Sequence, residues 1–289
     1  MTERNYCFAG LELHIEMPDG LMYESEYRLA PFSSGKGKNP HTFRFERLPR
    51  LPEPEGECIY RQANFMVYRD GERTVRYWGP VERSWETAYA RAVHDGKDHT
   101  VQLCESEFPS RIGARTVLDA ISVEHYITRN SGIVFHCSYI DIGGAAVLFT
   151  APSQTGKSTQ ADLWERYRGA EIINGDRAAV RIAGGTILAE GIPYSGSSPH
   201  CKNRSLPLKA IVYLGQAPVT TIRRMRGYEA FARIWEGVSV NTWDKKDVEL
   251  ASETVKSIAE EIPVYHMPCT PDESAVIALE RELNKLVTL

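Results

Sequence analysis

Cysteine pairs, charge of one sign and long apolar runs are all scarce in this chain, and each scarcity excludes a class of protein. The six cysteines stand at 7, 58, 104, 137, 201 and 269 with no CxxC pair among them, which excludes a zinc ribbon or a thioredoxin-like redox pair. A chain of 289 residues can build its core without disulfides, and scattered thiols suit a reducing compartment, so a cytoplasmic protein is expected. Lys and Arg number 34 against 38 Asp and Glu, a net charge of −4. The basic footprint of a nucleic-acid-binding protein is therefore missing. The longest apolar stretches, such as Ala145 to Phe149, fall far short of the roughly 20 residues that cross a bilayer, and no membrane partner is expected. Met1-Thr2-Glu3-Arg4-Asn5 has no apolar run behind it and does not read as a signal peptide. No internal repeat is found, and the only biased segments are Ser33 to Pro40 and Pro49 to Gly56.

What is present is an ordinary globular composition, 42% hydrophobic and 25% charged, patterned in two ways. Residues 1–110 read as a β-rich region. Leu11, Leu13, Ile15 and Met17 alternate with polar partners, as do Phe43 and Phe45, and Asp70-Gly71 joins Phe65–Arg69 to Thr74–Trp78 as a hairpin. This pattern predicts a small antiparallel sheet, with Tyr77, Trp78, Trp85 and Tyr89 serving as packing residues. Residues 111–289 read as a second, α/β domain. Helical spacing at Ala114, Val117, Leu118 and Ile121 gives way to a strand over Gly132–Asp141 and a second over Ala145–Thr150. A helix is predicted over Ser158–Tyr167, and a short strand over Ala170–Asn174. A hairpin follows across Gly184-Gly185, then a buried strand over Ala210–Leu214. Helices over Tyr228–Glu236 and Asp247–Glu261 precede a strand over Val264–Met267. Thr270-Pro271-Asp272-Glu273 predicts a capping box opening the last helix, with Thr270 as N-cap.

The segment Ala151-Pro152-Ser153-Gln154-Thr155-Gly156-Lys157-Ser158 meets the pattern GxxxxGK[ST] at every fixed position but the first. It follows an apolar strand and opens a helix, the context in which converging backbone N–H groups and a helix N-terminus bind phosphate. The residues Ser153, Gln154, Thr155, Gly156, Lys157, Ser158 and Thr159 are the expected nucleotide contacts, for a purine nucleoside triphosphate carried as Mg-ATP. Gly156 lets the backbone approach, Lys157 neutralises the β- and γ-phosphates, and Ser158 offers its hydroxyl to magnesium. Asp176, nineteen positions after Lys157 and at the end of Ile172-Ile173-Asn174-Gly175, is the second expected magnesium ligand.

Together with His136, twenty-one residues before Lys157, and Asp141, five after His136, these elements resemble the HPr kinase/phosphorylase family. More distantly, they resemble ATP-dependent phosphoenolpyruvate carboxykinases. The resemblance covers about Val123 to Leu214. It implies a P-loop domain with a mixed sheet and an ATP- and magnesium-dependent transfer of the γ-phosphoryl group to a hydroxyl. His136, Lys157 and Asp176 would then be the catalytic residues. The acceptor is a serine of a peptide or small protein, or a small hydroxylated metabolite. Asp141, Glu190, Lys202 and Arg204 are candidate contacts to it. The sequence departs from the family at three places. Ala151 and Gln154 stand where the family has glycines, Pro152 removes a backbone donor, and the family's acidic pair is reduced to Gly175-Asp176. The phosphorylase signature is only partly met at Glu190-Gly191, so that activity is not carried over. With a single carboxylate at Asp176, the base role falls to His136 or Asp141, or is not needed. A nucleotide-binding regulator that transfers no phosphate is the rival reading. Oxaloacetate carboxykinase chemistry is disfavoured, since the chain is too short for that substrate domain. Either a monomer or a homo-oligomer is compatible with the sequence.

Overall fold

The computed structural model describes residues 1–19, 26–107 and 114–286, and the chain divides into two units, Met1–Val123 and Glu124–Leu289. The boundary expected at 110/111 lies outside the described residues.

In the first unit the predicted alternation becomes strands. They are β1 (Thr2–Phe8), β2 (Leu11–Met17), β3 (His41–Leu48), β4 (Glu57–Gln62), β5 (Phe65–Asp70), β6 (Arg73–Trp78), β7 (Ala90–Asp95) and β8 (Asp98–Cys104), with short helices α1 (Glu26–Leu29) and α2 (Ala114–Ile121). They form one sheet in the order β1-β2-β3-β8-β7-β6-β5-β4. This is larger than the small antiparallel sheet expected, and β3 runs parallel to both β2 and β8. The alternation could not reveal this, because it fixes which face is buried and not which strand lies alongside. Leu11, Leu13, Ile15, Met17, Phe43 and Phe45 are all buried. Tyr77 is fully buried, with its hydroxyl donating to the Pro52 carbonyl at 2.8 Å, which is a packing role.

The second unit opens with α3 (Val123–Arg129) and continues through β9 (Gly132–His136), β10 (Ser138–Asp141), β11 (Ala146–Thr150), α4 (Lys157–Arg168), β12 (Glu171–Asn174), β13 (Arg177–Ala183), β14 (Thr186–Gly191), β15 (Ser205–Gln216), β16 (Arg223–Met225), α5 (Gly227–Trp235), β17 (Val238–Ser239), α6 (Lys245–Glu261), β18 (Val264–Cys269) and α7 (Glu273–Lys285). It is a mixed α/β fold. The main strand path runs β12-β10-β11-β15-β14-β13-β9-β17, with β18 added beside β15 and β16 beside β18. Strands β11, β15 and β18 are mutually parallel, while β9, β13 and β14 pair antiparallel.

Two expectations are corrected here. Gly132–Asp141 is two strands and not one, because the chain breaks at Cys137. β9 pairs with β13 and β17, whereas β10 pairs with β11 and β12. The last helix is capped by Asp272 and not by Thr270. The Asp272 side chain accepts from the Ser274 N–H, and the Thr270 hydroxyl is within 3.1 Å of those of Thr220 and Ser274.

The partition into half-sheets creates a corner. Cys137 joins β9 to β10, and Gly175-Asp176 joins β12 to β13. The two crossings are tied together, since the Cys137 N–H donates to the Asp176 carbonyl at 3.0 Å. The Ser138 hydroxyl donates to the Gly175 carbonyl at 3.2 Å. The Thr150 hydroxyl, at the end of β11, donates to the His136 carbonyl at 3.0 Å. The loop after β11 thus leaves the sheet beside this corner. No helix among the described residues is long and apolar enough to cross a membrane.

Candidate functional site

The five residues of β11 are all buried, so the chain must turn sharply once it emerges. The turn is Ala151 to Gly156. Gly156 takes φ 117° and caps α4 without a side-chain hydrogen bond, a backbone conformation that suits glycine. Gln154, at a position where a glycine would be comfortable, nonetheless adopts φ 63°. Left-handed backbone at a non-glycine residue carries a cost and tends to collect at functional turns. Ser153, Gln154, Ser158 and Thr159 are exposed and Thr155 and Gly156 half-buried, so the loop and the first turn of α4 face outward together. The first N–H groups of a helix have no partner inside it. Lys157 is buried and curls back over the loop, its Nζ donating to the Ala151 carbonyl at 3.1 Å. Burial lowers the proton affinity of its amine, and the nearby Asp176 charge opposes that shift.

Asp176 is set by Asn174, a residue that the sequence reading did not single out. Asn174 is fully buried and uses its whole amide. Its Nδ2 donates to the carbonyls of Ile192 at 3.0 Å and Tyr194 at 2.9 Å. Its Oδ1 accepts from the backbone N–H groups of Asp176 at 3.0 Å and Arg177 at 3.1 Å. The signal was present in Asn-Gly-Asp closing an apolar strand, where an Asn side chain can bond the backbone two residues on. The Asp176 carboxylate faces His136 Nε2 at 3.4 Å and Arg177 Nε at 3.4 Å. The hydrogen bond from His136 holds its carboxyl below the usual range against the opposing effect of burial, aided by the charges of Arg177, His136 and Lys157. The ionised, partly exposed Asp176 carboxylate and the exposed Ser158 hydroxyl at the start of α4 are both oxygen donors of the kind that suits a hard cation such as magnesium.

No protein-family model matches the chain and no curated protein matches it. Among solved structures, it is similar to the HPr(Ser) kinase/phosphatase from Coxiella burnetii at 10% identity and a TM-score of 0.35, over 54% of this chain and 93% of that one. A likeness that loose fixes neither the fold nor the activity.

The remaining candidates lie elsewhere. Asp141 closes β10 at the end away from the corner, opposite Ala146 and Glu171. Its carboxylate accepts from the Gly144 N–H at 2.7 Å and from Arg204 Nη2 at 3.1 Å. Lys202 pairs with Glu171 at 2.9 Å, so Asp141, Lys202 and Arg204 form a charge cluster separated from His136 by the length of β10. Glu190 is buried and held by Arg181 at 2.8 Å and Ser205 at 3.3 Å. Gly175, where the acidic pair is incomplete, has no room for a side chain. A Cβ there would collide with the Ser198 side chain. Ser198 belongs to a turn, closed by its N–H to the Ser195 carbonyl at 2.8 Å, in which Gly196 abuts Asp176. Nothing in the sequence pattern announced this contact.

Proposed function

We propose that the protein is an ATP- and magnesium-dependent phosphotransferase that moves the γ-phosphoryl group to a hydroxyl of a peptide, protein or small molecule. The observation that carries this reading is the convergence at one corner of the loop Ala151–Gly156, the curled Lys157 and the Asp176–His136 pair. In this reading the loop amides and Lys157 bind the β- and γ-phosphates. Asp176 and Ser158 would hold a magnesium ion, which supplies charge neutralisation on those phosphates. A bond forms between the acceptor oxygen and the γ-phosphorus as the β–γ bridging bond breaks, and ADP leaves. In this reading His136 would take the hydroxyl proton; the position of Asp141 at the far end of β10 favours it over Asp141. Phosphoryl transfer depends chiefly on positioning and charge stabilisation, so one carboxylate suffices.

Lys157→Ala and Asp176→Ala are each expected to lower transfer at least 100-fold. The measurement is γ-labelled ATP with a lysate of the source cells, followed by identification of the labelled species. Wild-type turnover in either variant sinks the assignment. A second reading, an ATP-gated regulator that transfers nothing, is favoured by the lone carboxylate and by Ser198 filling the space at Gly175. Tight Mg-ATP binding with no ADP formed in the presence of that lysate would select it.

A further inference from the structure

Strands β11, β15 and β18 are parallel, so their C-terminal ends share one side of the half-sheet, the usual place for a ligand in such sheets. A cavity of about 530 Å³ opens there, within the roughly 300–1,000 Å³ of small-molecule sites. One wall is the candidate phosphate loop and the first turn of α4, with Thr159 and Gln160. The opposite wall is formed by Leu214, Gln216 and Ala217 after β15, with Cys269 and Thr270 after β18.

Gln160 singles this cavity out. It is 2% exposed, and its Nε2 donates to Cys269 Sγ at 3.2 Å. Burial raises the Cys269 thiol, so the sulfur stays uncharged at neutral pH. The other end of the amide, Oε1, is buried and has no hydrogen-bond partner. A buried acceptor left unpaired is costly, and such atoms in folded proteins commonly await a ligand. Gln160 stands three residues after Lys157 on the same helix, and the cavity borders the loop itself at Gln154, Thr155 and Gly156, so it is open to the remainder of a ligand whose phosphates lie on the loop.

We infer that the cavity is the base subsite of the nucleotide, resting on the nucleotide reading above, and that Gln160 Oε1 accepts a hydrogen bond from an exocyclic amino group of the base. Cys269 orients the amide for that contact.

The test is calorimetric titration of the full chain, at one salt concentration, with the magnesium complexes of ATP, GTP, ITP and tripolyphosphate. ITP keeps the purine but lacks any exocyclic amine. ATP should bind at least tenfold more tightly than tripolyphosphate and about fivefold more tightly than ITP. GTP binding above ATP would give the amine to guanine and support the same role for Gln160. Gln160→Leu should bring ATP down to the ITP value and leave tripolyphosphate unchanged. The replacement gives up only the Nε2–Cys269 contact and removes an unpaired buried acceptor, so the variant should fold. Ala217→Trp, at the half-buried lip of the cavity, should bring ATP down to the tripolyphosphate value. ATP binding no tighter than tripolyphosphate, or an ATP-to-ITP ratio unchanged by Gln160→Leu, overturns the base subsite while the loop reading stands. Failure of the wild-type chain to bind either ATP or tripolyphosphate removes the nucleotide reading itself.

Discussion

At the scale of single residues the site is a matter of which side chains are already committed. Asp141, Glu190, Lys202 and Arg204 are all satisfied by protein partners, whereas Asp176 stands 3.4 Å from the His136 ring and from the Arg177 guanidinium and stays partly exposed. The loop pattern has a strict chemical logic, which brings Lys157 and, at the end of the next apolar strand, Asp176 to notice; His136 enters only through the family resemblance. Sequence spacing could not sort the other charged residues, since an ion pair between distant segments leaves no local signature. Gly175 shows the same limit. The missing acid looks like a lost function in the sequence, yet in the structure the space belongs to Ser198. Gly175→Asp is expected to destabilise the protein by about 1–3 kcal/mol through overpacking. Adding Ser198→Gly should recover much of that loss in a double-mutant cycle followed by urea unfolding. Additive effects of the two changes would refute the contact.

At the scale of elements, the helices expected after the loop were legible to within a residue or two, whereas α1 and α3 were not read at all. The predicted Ser158–Tyr167 is Lys157–Arg168, and Tyr228–Glu236 is Gly227–Trp235. The start of α6 was read later than it is, because Asp244 was not recognised as its cap. Its side chain accepts from the N–H groups of Lys246 at 2.9 Å and Asp247 at 3.2 Å. Asp244→Ala should cost about 1–2 kcal/mol, read as a lowered urea midpoint with an unchanged slope. The division of Gly132–Asp141 at Cys137 was not legible, because no Gly, Pro or Asn marks a break between His136 and Ser138 while the pairing partners change. Sheet switching is decided by contacts many residues away, and periodicity carries no information about them.

At the scale of the whole molecule, acid sensitivity should originate in a buried charge cluster away from the candidate site. Asp247 is fully buried and accepts from His125 Nδ1 at 2.7 Å, Arg129 Nε at 2.7 Å and Asn241 Nδ2 at 3.3 Å. Burial raises its proton affinity, but the bonds and charge of His125, with the bonds of Arg129 and Asn241, outweigh that and hold the carboxyl below its ordinary 3.8. A depressed carboxylate stabilises the fold above its unfolded pKa, and that contribution is lost as pH falls through the folded value. Asp247→Asn should therefore destabilise by about 2 kcal/mol at pH 7. That is less than the roughly 3–5 kcal/mol of a wholly buried pair, because Arg129 is partly solvent-screened. The gap between variant and wild type should narrow as pH falls below the ordinary 3.8 of an aspartate, followed by thermal melts down through that range. A gap that does not narrow as the pH is lowered would show that the carboxylate charge is not the cause.

Strand β15 runs unbroken for twelve residues. It starts beside β14, crosses onto β11 and finishes against β18. Opening any one of those neighbours leaves the strand clamped by the others, so its amides can reach solvent only when the unit opens as a whole. In deuterated water the N–H groups of Ala210 to Leu214 should be among the last to exchange, at the rate of global unfolding. Those after β18, at Thr270 and beyond, should exchange through smaller openings. A ligand seated between the ends of β15 and β18 would slow the second group toward the first, which makes the difference between the two a direct reading of occupancy.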